Sequence, residues 1–128
     1  MTRKIITIDD SVSVRKMIEF ALKSKGYAVT AAADGQEGLE ALERGEQFDL
    51  MILDINMPRL DGLTLLKTIR QKPAWTGLPV LMLTTEGQDD DRNTALALGA
   101  TDYMVKPFKP SELLERVNTL FAQNKSAG

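Results

Sequence analysis

The sequence predicts an α/β fold with a doubly wound, parallel sheet of five strands. Short apolar runs alternate with helix-like patterns five times along the 128 residues, and this alternation is typical of strand–helix–strand units. The runs are almost continuously apolar, as expected for strands that helices cover on both faces. We expect one domain, 1–128, with the strand order 2-1-3-4-5, in which the winding direction changes between the first and third strands.

Four of the five predicted strands are strongly apolar, at positions 5–8, 50–53, 80–83 and 103–105. The second strand, around residues 27–29, is the weakest prediction. A helical pattern follows each strand, with apolar residues recurring every three or four positions.

Capping residues predict where several of the helices begin and end. Asp34 and Asp61 stand where N-terminal caps of the second and third helices are expected, and Gly26 stands where the first helix should end. The predicted inner face of the third helix consists of Leu63, Leu66 and Ile69.

The fourth helix is the least well anchored of the five. Three aspartates at positions 89–91 suit a helix N-terminus because they complement the helix macrodipole. Its predicted apolar face, however, consists mostly of Ala95, Leu96 and Leu98, and Gly99 ends the helix. Because few apolar contacts hold it, we expect this helix to move more readily than the others.

Composition and charge exclude several classes of protein. The net charge of −2 offers no basic surface for nucleic acid. The chain has no cysteine and no histidine, so disulfides, thiol chemistry and the commonest transition-metal ligand are excluded. No apolar stretch is long enough to span a membrane. We therefore expect a cytoplasmic protein that binds neither nucleic acid nor membrane.

Polar residues follow four of the five predicted strands, at the point where each strand ends. Because the carboxyl ends of parallel strands meet at one edge of a sheet, these residues should converge at the place where such sheets carry their active sites. Carboxylate, hydroxyl and ammonium groups would then share one crevice. The residues are Asp9, Asp10, Asp54, Thr84, Thr85 and Lys106.

This set of groups suits the binding of Mg²⁺ and a phosphoryl group. Clustered carboxylates resist ionisation unless a cation compensates them, and Mg²⁺ prefers oxygen ligands. Asp54 stands alone where the winding changes and is the best candidate for a carboxylate nucleophile. Lys106 can pair with Asp54 or with a phosphoryl oxygen, while the Thr84 hydroxyl and the Thr85 backbone N–H can donate hydrogen bonds.

Taken together, these residues resemble the receiver domain of two-component response regulators, over essentially the full chain. The likeness is to single-domain, CheY-like members, with a flavodoxin-like (βα)5 fold and no output domain. The matching motifs are Asp9-Asp10, Asp54-Ile55-Asn56-Met57-Pro58, Leu60-Asp61-Gly62, Thr84-Thr85, Tyr103 and Lys106-Pro107-Phe108.

The resemblance implies that Asp54 accepts a phosphoryl group from a phosphohistidine, on a CheA-like histidine kinase or on a phosphotransfer protein. It implies Mg²⁺ bound directly by Asp10, Asp54 and the backbone carbonyl of Asn56, with Asp9 acting through water. Lys106 would bridge Asp54 and the phosphoryl group. The chain would catalyse only its own phosphorylation and dephosphorylation and would not otherwise be an enzyme.

The resemblance also implies a switch. The Thr84 hydroxyl would move toward the phosphoryl group, and the Tyr103 ring would rotate inward behind it. The face formed by the fourth helix, fifth strand and fifth helix would then change shape for a partner, such as a flagellar motor switch protein. A chemotaxis or motility pathway is expected, and a phosphorelay shuttle or phosphate sink remains the alternative.

Three more positions have roles implied by the resemblance. Asn56 and Glu86 lie two residues after Asp54 and Thr84, where they would govern how water reaches the phosphoryl group. This pairing predicts a short-lived signal. The Lys106–Pro107 peptide bond is expected to be cis.

Two other classes of protein could use a similar fold. A phosphatase of the haloacid dehalogenase type also has an aspartate nucleophile and Mg²⁺, but it needs a second aspartate where this chain has Asn56. A flavodoxin-like FMN carrier needs a phosphate-binding loop after the first strand, where Asp9 and Asp10 would repel phosphate.

Overall fold

Five strands and five α-helices alternate along the described part of the chain. The structure, a computed structural model, describes residues 2–57, 60–85 and 89–127, with side chains up to residue 123. The strands are β1 (Lys4–Ile8), β2 (Ala28–Ala32), β3 (Leu50–Asp54), β4 (Val80–Thr85) and β5 (Asp102–Lys106). The helices are α1 (Val12–Lys23), α2 (Gly35–Glu43), α3 (Gly62–Arg70), α4 (Asp89–Ala97) and α5 (Pro110–Ala127), with a short 3₁₀ helix at Pro73–Trp75.

The sheet has the order β2-β1-β3-β4-β5, and all its neighbouring strands are parallel. The predicted topology is therefore confirmed. The weakly predicted second strand begins one residue later than expected and extends to Ala32. Tyr27 is outside it because its N–H still bonds to the carbonyl of Leu22 at the end of α1.

Two apolar layers cover the faces of the sheet. Along β1, Ile6 and Ile8 face the layer that includes residues of α2, α3 and α4, whereas Ile5 faces the layer of α1 and α5. The central strand β3 is buried along its whole length. This arrangement explains why the strands are apolar without alternation.

The predicted helix caps are present. The Asp34 carboxylate accepts a hydrogen bond from the N–H of Glu37 at 2.9 Å, and the Asp61 carboxylate accepts one from Thr64 at 2.8 Å. Gly26 has a φ of +88°, a conformation that favours glycine after a helix.

The inner face of α3 differs from the prediction. Leu65, Leu66 and Ile69 are completely buried, whereas Leu63 is only partly buried. Because α3 contacts both α2 and α4, its buried stripe lies further round the helix than the periodicity indicated.

Helix α4 has an even smaller apolar face than the sequence predicted. Within α4, Ala95 is the buried residue, while Leu96 is 41% exposed. Leu96 follows Ala95 by one position and so projects about 100° away from it, toward solvent. The predicted burial of Leu96 is therefore wrong, and the weak anchoring of α4 is confirmed.

None of the described helices is long and apolar enough to cross a membrane.

Candidate functional site

Three carboxylates meet at the carboxyl edge of the sheet. Asp9 follows β1, and Asp54 ends the adjacent strand β3. Together with Asp10, each offers a carboxylate oxygen, and these oxygens lie within 4.8 Å of one another. Asp9 and Asp54 are buried, and Asp10 is exposed. The site is thus an acidic pocket with one carboxylate at its mouth.

Lys106 supplies the positive charge in this pocket. It ends β5, and its Nζ lies 2.8 Å from Oδ2 of Asp9 and 3.3 Å from Oδ2 of Asp54. Burial alone would lower the pKa of this ammonium, but its hydrogen bond to Asp9 and the charges of Asp54 and Asp9 raise the pKa above its ordinary value. Lys106 therefore stays charged and offsets part of the acidic cluster.

The Asp54 carboxyl is less acidic than an ordinary aspartate. Burial is the main cause, and the charge of Asp9 adds to it, so that the pKa of Asp54 rises from 3.8 to about 6. The charge and hydrogen bond of Lys106 and the backbone N–H of Asn56 oppose the rise. At neutral pH the carboxylate is ionised but poorly solvated, and it is available to a cation or an electrophile.

This pKa predicts that Asp54 weakens the fold above pH 6 in metal-free buffer. The folded state binds the Asp54 proton more tightly than the unfolded state, so its stabilising contribution is present below pH 4 and is lost as the pH rises through about 6. Asp54→Asn should therefore raise the free energy of unfolding by about 1–2 kcal/mol at pH 8. This is less than the change in pKa alone would give, because solvent at the pocket mouth screens part of the charge.

Urea unfolding of both proteins between pH 4 and pH 8, with a chelator present, measures this difference. The stabilisation by Asp54→Asn should shrink steadily as the pH falls. A stabilisation that is equal at every pH would contradict the assigned ionisation.

Two residues that the sequence reasoning did not identify hold the Asp9 turn in place. The N–H of Ser11 donates to Oδ1 of Asp9 at 2.9 Å, and Nη1 of Arg15 donates to the backbone carbonyl of Asp9 at 2.6 Å. Ser11 also caps α1 by accepting from the N–H of Val14. The sequence signal for Arg15 is its position four residues after the capping Ser11, because a cation one turn into a helix can reach back to the preceding loop.

The loop after β3 is pinned to the sheet and to α3. The N–H of Ile55 donates to the carbonyl of Leu83 at 3.1 Å, and its own carbonyl accepts from the N–H of Gly62 at 2.9 Å. A Cβ atom at Gly62 would overlap the backbone carbonyl oxygen of Asp54. The glycine thus allows α3 to begin directly against the backbone of Asp54.

Thr84, Thr85 and Asn56 lie at the same edge of the sheet as this pocket. Thr84 is buried near the end of β4, one residue beyond Leu83, the partner of Asp54 across the strands. Thr85 and Asn56 are exposed at the same edge. The Lys106–Pro107 peptide bond is cis. Pro58 and Glu86 lie outside the described residues.

Tyr103 lies two strands away from Asp54 in the sheet. It belongs to β5 and packs against the core on the α2, α3 and α4 side of the sheet. Its ring is partly exposed, and the guanidinium carbon of Arg92 lies 4.9 Å from the ring centroid. The structure therefore places Tyr103 between the core and α4.

The donor set of the pocket fits a hard divalent cation. Three carboxylates lie within reach of one ion, and the single ammonium of Lys106 leaves an excess of negative charge among them. Oxygen-only coordination of this kind suits Mg²⁺ or Ca²⁺ and does not suit metals that prefer sulfur or imidazole.

Comparison with known proteins gives a consistent result. The family model for the response regulator receiver domain matches residues 5–118. The transcriptional regulatory protein PhoP of Bacillus subtilis is 39% identical over 127 residues, which are 99% of this chain and 52% of PhoP. A probable transcriptional regulator, ycf27 of Cyanophora paradoxa, is 40% identical over 97% of this chain and 50% of its own length. This chain thus spans about half the length of these curated relatives.

Solved structures show the same likeness. The chemotaxis protein CheY4 of Vibrio cholerae superposes with a TM-score of 0.86 at 39% identity, covering 93% of this chain and 98% of CheY4. A CheY-like receiver domain protein from Methanospirillum hungatei superposes with a TM-score of 0.92 at 28% identity over the whole of both chains. With the acidic pocket, the topology and the family match in agreement, this chain belongs to the response regulator receiver domain family.

Proposed function

We propose that this chain is a phosphoryl acceptor, with Asp54 as the residue that is modified. An oxygen of the Asp54 carboxylate attacks the phosphorus of a phosphohistidine on a sensor kinase or phosphotransfer protein. The P–N bond breaks, the imidazole nitrogen leaves with its electron pair and takes up a proton, and an acyl phosphate remains on Asp54. The observation that carries the proposal is a buried carboxylate beside Lys106, within a cluster of three carboxylates that can hold a cation.

The pocket prepares Asp54 for this reaction in two ways. Burial removes water from the carboxylate, so less solvation is lost when it attacks. The Lys106 ammonium is already 3.3 Å from the Asp54 carboxylate, close to where a new phosphoryl oxygen would lie. A fixed positive charge at that point stabilises the charge spread over the transferring group.

We further propose Mg²⁺ as the cation of this pocket. Asp10, Asp54 and the backbone carbonyl of Asn56 would bind it directly, and Asp9 would bind it through water. When bound, Mg²⁺ neutralises charge on the carboxylates and on the phosphoryl oxygens. Asp10 is suited to the position because it is the exposed member of the cluster, next to the solvent from which the ion comes.

Signalling would follow from hydrogen bonds to the new phosphoryl group. The Thr84 hydroxyl and the Thr85 N–H would donate to its oxygens. Because Thr84 lies on the strand between Asp54 and Tyr103, its movement would vacate space for the Tyr103 ring. The surface of α4, β5 and α5 would then change shape for a partner protein.

The signal would end by hydrolysis of the acyl phosphate, with no other substrate acted upon. We propose that Asn56 and Glu86 set the access of water and give the phosphoryl group a short lifetime. An aspartate phosphatase of the haloacid dehalogenase type is disfavoured, because the position of its acid/base is taken by the amide of Asn56.

For the output we propose a protein contact in the cytoplasm, in a motility pathway and with a flagellar motor switch protein as the type of partner. The specific support is the likeness to the chemotaxis protein CheY4 over 98% of its length. Transcriptional regulation is the second candidate, because the curated relatives PhoP and ycf27 are named as transcriptional regulators. Relay of the phosphoryl group to another protein is a third use of the same site.

The acceptor is tested by intact mass after incubation with acetyl phosphate, a small phosphodonor. Wild type should gain one phosphoryl group when Mg²⁺ is present and none when it is chelated. Asp54→Asn should gain none. Asp61→Asn is the matched control, because asparagine caps α3 as well as aspartate does and the pocket is untouched.

Each outcome has a clear meaning. A gain that survives Asp54→Asn would overturn the assignment of the acceptor. A gain that does not depend on Mg²⁺ would overturn the metal assignment. If the wild type gains nothing even from a phosphorylated histidine kinase, the chain is a binding module instead of an acceptor.

A further inference from the structure

Arg92, in the first half of α4, makes a close contact with Tyr103. Its guanidinium carbon lies 4.9 Å from the centroid of the Tyr103 ring, and its Nη1 lies 3.4 Å from the phenol oxygen. The side chain of Arg92 is 32% exposed, so solvent screens the contact only in part. Its other partner is Asp89, at 3.9 Å, and the Asp89 side chain is 78% exposed. The contact with Tyr103 is the better shielded of the two.

The two ends of α4 are held differently. After its last turn, the carbonyl of Gly99 accepts a hydrogen bond from Nε of Arg70 at 2.9 Å, and the N–H of Ala100 bonds to the carbonyl of Ala95. In the first half of the helix, among the described residues, the contact of Arg92 with Tyr103 is the side-chain link to β5. Arg92 thus ties the less anchored end of α4 to the sheet.

We propose that Arg92 is a positioning residue that holds the Tyr103 ring in its partly exposed conformation and so biases the domain toward its resting state. This inference rests on the proposed function, in which the ring turns inward after phosphorylation. A ring that turns toward Thr84 leaves the guanidinium, so both contacts stabilise only the partly exposed ring. A contact made in one of two conformations shifts the population between them.

The expected size of this bias is modest and measurable. A cation–π contact at a partly exposed site shifts a two-state population by roughly two- to fivefold. We expect phosphoryl uptake to proceed from the inward conformation, in which the Thr84 hydroxyl can donate to the transferring group, so the uptake rate scales with the population of that conformation. Arg92→Met should therefore increase the rate of phosphoryl uptake from acetyl phosphate by about two- to fivefold.

Arg92→Lys separates this role from a general loosening of α4. Lysine keeps the positive charge that interacts with the ring, so its uptake rate should stay near that of wild type. Asp89→Asn removes the other partner of Arg92 and should leave the rate unchanged. In a Tyr103→Ala background, Arg92→Met should have no further effect, because the group on which Arg92 acts is gone.

The position of the ring can be observed without any phosphoryl group. The chain has two tyrosines, so incorporation of 3-fluorotyrosine gives two ¹⁹F signals, with Tyr27 as the internal reference. Tyr27 packs against Phe121 on the other side of the sheet. Arg92→Met should move the Tyr103 signal toward its position in beryllofluoride-treated wild type, while the Tyr27 signal stays in place.

The outcomes separate the role of Arg92 from the proposed function of the domain. A Tyr103 signal that does not move in Arg92→Met would overturn the inference, whether or not phosphorylation occurs. A signal that moves while the uptake rate stays constant would also overturn it, since the ring would then be uncoupled from the site. Failure of wild type to take up phosphoryl would instead remove the proposed function, and the coupling with it.

Discussion

Lys106→Met is expected to slow phosphoryl uptake by a factor of about 100 to 1,000, the usual loss when one fixed donor to a developing charge is removed. Methionine keeps the length and apolar stem of the side chain but has no charge. Among the described residues, Lys106 is the cation that pairs with both Asp9 and Asp54. Without it, transition-state charge near Asp54 is stabilised only by the bound cation and by hydrogen bonds.

The same change should increase the affinity for Mg²⁺. Removal of a positive charge from a cluster of three carboxylates leaves more negative charge for the metal to neutralise. Stability should fall by about 3–5 kcal/mol in metal-free buffer, because the buried charge of Asp9 loses its partner, and Mg²⁺ should restore much of it. Tighter metal binding with slower uptake distinguishes this electrostatic role from simple damage to the fold.

Uptake is followed by intact mass over time, and metal affinity by calorimetric titration with MgCl₂. Lys109→Met is the control, since Lys109 is exposed and three residues further along the chain. An unchanged uptake rate in Lys106→Met would show that Lys106 does not act on the phosphoryl group.

Gly62→Ala is expected to weaken both the fold and the metal site. The new Cβ would overlap the carbonyl oxygen of Asp54 and press on the Cα of Ile55. Both neighbours are backbone atoms, so the clash can be relieved only by shifting α3, or the end of β3 together with the loop that carries Asn56. Overpacking of this kind costs roughly 1–3 kcal/mol, and a displaced loop should reduce Mg²⁺ affinity at least tenfold, because this ion demands near-ideal geometry.

Gly77→Ala and Gly38→Ala are the matched controls. A Cβ at Gly77 would meet nothing within 4 Å, so this variant should be as stable as wild type or slightly more so. At Gly38 the neighbour is the side-chain end of Ile8, which can adjust. Denaturant unfolding and Mg²⁺ titration of the three variants test whether Gly62→Ala has the largest effect. Wild-type stability and metal affinity in Gly62→Ala would contradict the close packing of α3 on Asp54.

Most of the fold could be predicted because its signals are local. Strand runs and helix caps depend on neighbours a few residues away, so Asp34 and Asp61 revealed the start of their helices correctly. Burial round a helix depends on what packs against it. For this reason the periodicity predicted that Leu96 is buried, although it is exposed. It did not predict the burial of Leu65, which is completely buried.

The sequence by itself determined which polar residues reach the site, because parallel strands place their carboxyl ends at a common edge and Asp9, Asp54 and Lys106 each end or follow a strand. Only the tertiary structure decided how these groups interact: that Lys106 lies closer to Asp9 than to Asp54, and that Arg92 covers Tyr103. These distances join residues far apart in the chain. They depend on strand register, on helix packing and on how much water reaches each charge. None of these can be predicted from a run of neighbouring residues.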